Sequence, residues 1–215
     1  MTGRDETRQD ETRQLLFFNP KRTFMWIATT HLKSVSPYSQ SRYHNTPKKE
    51  KEGHNDYENR TWRNRLHVGK DGFVFIPPMA FKNCLDECAK YLSIQIKGKG
   101  KATYTKHFTA GVLVTEPIAL GIKKDEVEEN RLFVPSDGRK GGTTRVEKSF
   151  PIIHDWTADV TWNIFDETIT KDVFIYHLKQ AGMFIGVGTF RPRNGGYFGR
   201  FTVEKFDWNE IASDI

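Results

Sequence analysis

Hydrophobic and polar positions change rhythm several times along this chain, and each change predicts an element. The run from Phe24 to Leu32 is rich in aromatic and β-branched residues and predicts a strand. From Lys33 to Asn59 the periodicity is lost, in a polar stretch that carries Lys48, Lys49 and Lys51 beside Tyr38, Tyr43 and Tyr57. A structureless stretch of that length in a compact domain is a functional loop or a disordered one. Thr61 to Val68 alternates and reads as a strand, the Gly69–Gly72 turn reverses the chain, and Phe73 to Ile76 reads as the return strand. Pro77 and Pro78 then open a helix, where a missing N–H costs nothing, and Met79, Phe81, Leu85, Cys88, Ala89 and Leu92 keep helical spacing to about Ile96. Thr109 to Val114 reads as a buried strand. Trp156 to Phe165 alternates as a half-buried one, with Trp156, Ala158, Val160, Trp162 and Ile164 on one side. Thr170 is a suitable N-cap for a helix whose face is Val173, Phe174, His177 and Leu178, with Gly182 as its stop, and Gly199 to Phe206 closes the chain as a last strand.

Without its insertions this order is strand, strand pair, helix, strand, then strand, helix, strand. It predicts an α+β fold with a ferredoxin-like (RRM-like) core: an antiparallel sheet backed by two helices, with a long insertion after the first strand. Residues 20–215 form a single domain on this reading, with insertions at about 33–60 and 116–150. The second insertion holds an acidic run (Asp125, Glu126, Glu128, Glu129) and the turn Asp137–Gly142. Residues 1–19 form a polar lead-in in which Asp5-Glu6-Thr7-Arg8-Gln9 is repeated at once as Asp10-Glu11-Thr12-Arg13-Gln14, read as a replication slip, a helical lead-in or a disordered tail. That repeat is too short to make a solenoid and is given no function.

Composition narrows the partners only modestly. The chain has 215 residues, is 37% hydrophobic and 28% charged, and carries a formal net charge of +6, which favours polyanions. No apolar run reaches the ~20 residues a membrane span needs, and no apolar signal core begins the chain, so a cytoplasmic protein without a membrane partner is expected. Cys84 and Cys88 lie one helical turn apart, a spacing at which a disulfide would strain the helix, so they are read as reduced thiols. A metal would need two further ligands, and neither His107 nor His154 is singled out by spacing. No metal or cofactor is expected.

The densest chemistry lies between Ile185 and Phe201, where five glycines, three arginines and four aromatics fall within seventeen residues. Glycine lets backbone approach a ligand, arginine offers a planar fork to phosphate, and aromatic rings offer faces for bases. Arg191, Arg193, Tyr197, Phe198 and Arg200 are therefore candidate nucleic-acid contacts. The loop is not a phosphate P-loop, because the Gly-Lys-Ser/Thr ending is missing, and the Gly186/Gly188 pair follows a helix rather than opening one. Lys97, Lys99 and Lys101 alternate with glycines at a helix end and read as a phosphate-gripping loop, with Tyr104, Lys106 and His107 just downstream; a solvated helix C-terminus also suits lysines. Arg63 and Arg65 share one face of the expected strand, either as contacts or as the polar side of an edge. Lys82 sits in a first helical turn, where backbone N–H groups also favour phosphate. Asp155 and Asp159 fall on one side of a strand and, with Asp166 and Glu167, raise metal-dependent cleavage. A solvent-facing role is preferred for them, and no Ser-His-Asp or Cys-His arrangement can be argued, so no catalytic residue is assigned.

Three features together resemble the RAMP superfamily, the backbone proteins of CRISPR effectors. Phe75-Ile76-Pro77-Pro78-Met79-Ala80-Phe81-Lys82-Asn83-Cys84-Leu85 looks like that family's helix opening, with Pro78 where glycine is common. The glycine-rich stretch from Gly186 to Phe201 looks like its loop after the last helix, and the basic, aromatic insertion after the first strand like its thumb or palm extension. The resemblance covers most of residues 24–206, and the chain also resembles phage or mobile-element proteins in texture. It implies copies lined along a guide RNA, holding its backbone while base pairing reads sequence. The expected activity is non-enzymatic, sequence-independent binding of single-stranded RNA or DNA, as a homo-oligomer or filament with other CRISPR subunits, in antiviral defence. Three alternatives stand beside it: a phage single-stranded DNA-binding or recombination protein, a protein-binding inhibitor of a CRISPR complex, and a metal-dependent nuclease.

Overall fold

The computed structural model describes residues 23–136 and 142–213; the tandem repeat and most of the Asp137–Gly142 turn lie outside them. The architecture is mixed, with antiparallel sheets and four α-helices among the described residues. Its centre is β1 (Thr23–Ser34), an alternating strand that buries Ala28, Thr30 and Leu32 on one face. On one side β1 pairs with β8 (Thr157–Ile164) from Trp26↔Ile164 to Lys33↔Thr157, and beyond β8 lies the two-residue β4 (Val112–Leu113). On its other side it pairs with β9 (Phe201–Ser213), through a bulge between His31 and Leu32. All neighbours in this four-stranded sheet, in the order β4-β8-β1-β9, are antiparallel.

Helices cover one face of that sheet. In α2 (Pro78–Leu92) the buried positions Phe81, Cys84, Leu85, Cys88 and Ala89 follow helical spacing, and the Phe81 ring meets Trp156, Trp162 and Phe201 at centroid distances of 6.5, 6.3 and 5.7 Å. α4 (Lys171–Gln180) starts where Thr170 accepts a hydrogen bond from the Val173 amide, and Phe174 packs against Trp162 at 5.5 Å. The two helices touch, and Cys84 and Cys88 are free, buried thiols that point at the Ala181 and His177 carbonyls. The opposite sheet face carries Thr29, His31, Asp159, Thr161, Lys205 and Asp207 and presents no Phe, Tyr or Trp from the described strand residues.

The insertions are built rather than structureless. Residues 33–59 contain β2 (Tyr38–Ser39) and most of α1 (His54–Thr61). The segment after Leu113 contains β5 (Ile118–Lys123), β6 (Glu128–Pro135) and β7 (Arg145–Ile153). β2, β7 and β6 form a second sheet, and β3 (Phe73–Ile76) pairs with β5.

Several expectations are corrected. Thr61–Val68 is not a strand: Thr61 ends α1, Trp62–Arg65 forms a 3₁₀ turn, and only Val68 makes a bridge, to Val74. Trp62 and Leu66 are both buried, which produces the alternation without a sheet. Helix α2 stops at Leu92, because Ser93 takes a left-handed φ of 48°, and Ile96 lies beyond it. Thr109–Gly111 belong to α3 (Thr105–Gly111), so only Val112 and Leu113 of that segment are strand. Gly182 does not stop α4; the chain continues through a π-type turn, Ala181–Ile185, and leaves it at Gly186, φ 72°. Gly182 instead allows close packing, since a Cβ there would lie 2.2 Å from the Phe201 carbonyl oxygen.

Candidate nucleic-acid interface

The loop from Gly186 to Arg200 is held by its own backbone. Asn194 and Gly196 donate to the Arg191 carbonyl (both 3.0 Å), Gly195 donates to that of Pro192 (2.8 Å), and Phe198 donates to that of Phe190 (3.0 Å). Gly196 lies so close to Phe190 that a Cβ there would fall 1.8 Å from its carbonyl oxygen. The loop is also fastened to β2: Thr189 donates its amide to the Ser39 carbonyl at 2.9 Å, and Gly188, φ 82°, leaves no room for a side chain against Ser39 and Tyr38. A preorganised loop of this kind binds without first losing chain entropy.

Between this loop and the first turns of α2 lies a cavity of about 670 Å³. Arg191, Asn194, Asn83, Ser41 and Thr189 supply its polar walls, and Phe150 and Phe190 supply rings that meet edge to face at 5.0 Å. Arg191 and Arg193 both reach one carboxylate, that of Glu87, at 2.9 and 3.0 Å, so the group of three keeps one positive charge. Arg191 is 23% exposed and Arg193 46%. Arg200 donates to the Met183 and Tyr197 carbonyls and ties the π-type turn to the loop. Tyr197 is 60% exposed and offers a free ring face, whereas Phe198 packs against Phe190 and Tyr197.

Of the residues singled out from the sequence, only Arg191 lines this cavity. Lys97, Lys99 and Lys101 are exposed on a tight reversal closed by the Gln95↔Thr103 bridge, past the far end of α2 and roughly 20 Å from the cavity at 1.5 Å of rise per helical residue. Lys106 is exposed there, on a second cavity of about 620 Å³ with Thr103, Thr105 and Thr109. Tyr104 packs edge-on to His177, and the His107 Nδ1 lies 2.6 Å from Asp166. Partial desolvation raises the Asp166 pKa, but hydrogen bonds from His107 and the Thr168 amide more than offset it and hold the carboxyl below its usual value.

Lys82 is turned into the fold rather than towards solvent. It is 4% exposed, and its ammonium donates to Asp86 and to the Phe108 and Thr109 carbonyls, which fixes α3 against α2. Burial raises the Asp86 pKa, and the Lys82 ammonium opposes that shift. Arg65 is also structural: it grips both Glu58 oxygens (3.0 and 2.9 Å), donates to the Ser149 carbonyl and lies over the Phe150 ring. Arg63 faces elsewhere, its guanidinium stacked 4.2 Å from the Trp62 ring.

Several acidic side chains are engaged separately. Asp159 pairs with His31 on the polar sheet face, Asp166 with His107, and Glu58 with Arg65; Asp56 and Glu58 belong to α1, not to a loop. Among the described residues no three His, Cys, Asp or Glu side chains cluster. No described helix is long and apolar enough to cross a membrane.

Sequence reasoning missed Ser41, Asn83, Phe150, Phe190 and Asn194 as cavity walls. Asn83, Phe190 and Asn194 lie inside the two quoted motifs and were within reach. Ser41 and Phe150 arrive through the β2–β7 pairing and carry no local signal.

No protein-family model and no curated protein matches this sequence. Solved structures do match its fold. A chain of the type III-B Cmr-beta complex bound to cognate target RNA superposes with a TM-score of 0.50 at 10% identity, over 86% of this chain and 60% of that one. The crystal structure of Cmr6 from Pyrococcus furiosus gives a TM-score of 0.46 at 13% identity, over 83% of this chain and 98% of that one. The first of these is a chain of a type III-B complex. At these identities the likeness is one of fold, and the chain spans 60% of the length of the Cmr-beta chain.

Proposed function

We propose that this protein binds single-stranded RNA through its phosphates and base faces, without cleaving it, as a repeated subunit of an RNA-guided complex. The observation that carries the reading is the cavity beneath the Gly186–Arg200 loop, where a cationic guanidinium, amide and hydroxyl donors and aromatic rings converge on a preorganised backbone. The strand order β4-β8-β1-β9, with α2 between β1 and β4 and α4 between β8 and β9, supports a ferredoxin-like core. The open sheet face, which stacks bases in RRM domains, is polar here and carries Asp159 and Asp207. Binding therefore falls to the loops. Backbone grip without base-edge readout makes the affinity sequence-independent and steeply salt-dependent.

The test is purification without nuclease, followed by the 260/280 absorbance ratio and the size-exclusion profile. Large particles of high ratio that collapse after RNase are expected. Collapse only after DNase favours the single-stranded DNA reading, and a clean monomer without nucleic acid favours a protein-binding role.

A further inference from the structure

The cavity does not end at the glycine loop. Ser41 also lines a second hollow of about 320 Å³ with Arg42, Tyr43 and His44, and those three residues line a third of about 440 Å³ that extends to Arg63 and Lys124. Shared wall residues set the three hollows side by side along the 41–44 segment.

The segment that forms the shared wall is built, not slack. The Arg42 amide donates to the Arg65 carbonyl at 2.8 Å, His44 pairs with Thr46, and Asn64 donates to the same Thr46 hydroxyl at 3.1 Å. His44 stacks on Tyr57 at 6.4 Å, and the Tyr57 hydroxyl donates to the Thr46 carbonyl. On this fixed segment Tyr43 stands 86% exposed. A large ring held in water by an ordered loop, with cations around it, is arranged to receive something flat and anionic.

Charge agrees with that reading. Arg42, Arg63 and Lys124 line the third hollow, no carboxylate side chain lines it, and none pairs with these cations among the described residues. The Arg63 Nε is buried without a hydrogen-bond partner. Burial lowers the His44 pKa, and Arg65 and Arg42 lower it further against the opposing pull of Glu58, a sign of local positive potential.

We propose that this extension is a second subsite for the same single strand, in which Tyr43 stacks one base and Arg42, Arg63 and Lys124 hold the phosphates that follow. It rests on the function proposed above and adds the path the strand takes, from the glycine loop over Ser41 towards Lys124.

The experiment is fluorescence anisotropy with fluorescein-labelled oligouridylates of about 4 and about 12 nucleotides, within the range of site sizes seen for single-strand binders. Tyr43→Ala is expected to weaken the longer oligomer roughly 5- to 100-fold, to leave the shorter one unchanged, and to be rescued by Tyr43→Trp. Arg42→Ala and Lys124→Ala should each lower the salt slope by about 0.7. The side chain is exposed, so thermal melts of the Tyr43 variants should match the wild type. If Tyr43→Ala binds the longer oligomer as the wild type does while Arg191→Ala with Arg193→Ala weakens both, the second subsite is overturned and the first reading stands. If Trp fails to rescue and the salt slopes do not move, the subsite is likewise overturned. If the wild type binds neither oligomer, the underlying function fails and the subsite with it.

Discussion

Removing both guanidiniums that share Glu87 should change binding by an amount the structure bounds. In the free protein, Arg191 and Arg193 lie 2.9 and 3.0 Å from the two oxygens of that carboxylate, partly exposed. Pairs in such settings contribute about 0–1 kcal/mol each, so Arg191→Ala with Arg193→Ala should lower the melting temperature by only a few degrees. Binding responds differently. Each phosphate contact on a single strand contributes about 0.7 to the slope of log K against log salt, so loss of two should flatten that slope by about 1.4. Over a fourfold change from about 50 to about 200 mM salt, the wild type should lose about sevenfold more affinity than the variant. Glu87→Gln should act in the opposite direction, because it frees both cations and removes a competing anion. Anisotropy titrations on several unrelated single-stranded sequences read all of this, and the loss should be equal across sequences. A double variant with wild-type affinity and slope, or a Glu87→Gln that weakens binding, would refute the loop as a phosphate site.

Other consequences follow from packing. Gly188→Ala places a Cβ 2.2 Å from the Ser39 carbonyl oxygen at φ 82°, so the ~1–2 kcal/mol of a left-handed residue and a further ~1–3 kcal/mol of overpacking are expected, together with weakened oligonucleotide binding. Gly98→Ala meets nothing within 4 Å and should cost only the ~1–2 kcal/mol of a left-handed residue, and equal melting curves for the two variants would contradict the docked loop. Lys82→Met strands Asp86 and two carbonyls and should cost about 3–5 kcal/mol in denaturant titration, with no change in salt slope for the folded protein. A flattened slope at unchanged stability would restore Lys82 to the binding site. Burial raises both thiols, Cys88 to about 12, so neither should react with an aromatic disulfide reagent near neutral pH until denaturant is added. Rapid labelling of the native protein would show that the interface between α2 and α4 opens.

What could be read from the sequence was what local chemistry decides. β1, β8, α2 and α4 announce themselves by periodicity, and the glycine loop by residues that demand positive φ or close approach. The misreadings share one cause, contacts distant in sequence. Trp62 and Leu66 imitate a strand because both are buried, although Arg65 is drawn to Glu58 and Ser149 and the backbone there is helical. Lys82 occupies a position that is exposed on an isolated helix and is enclosed only once α3 folds over it. β9 continues seven residues beyond Phe206, to Ser213, because β1 offers partners along its whole length, while Glu210 and Ile211 reverse the alternation that Phe206 and Trp208 set. The cavity was half visible: its glycine loop is contiguous, but Ser41 and Phe150 come from other strands.

The measurement that bears most directly on the central claim is photocrosslinking of a 4-thiouridine-substituted single-stranded RNA to the purified protein, with the attached peptides mapped by mass spectrometry. The account predicts attachments within 186–200 and 38–46, lost together at high salt. Attachments confined to the polar face of the four-stranded sheet or to the Lys97–Lys101 reversal, or none at all from a protein that melts normally, would contradict it.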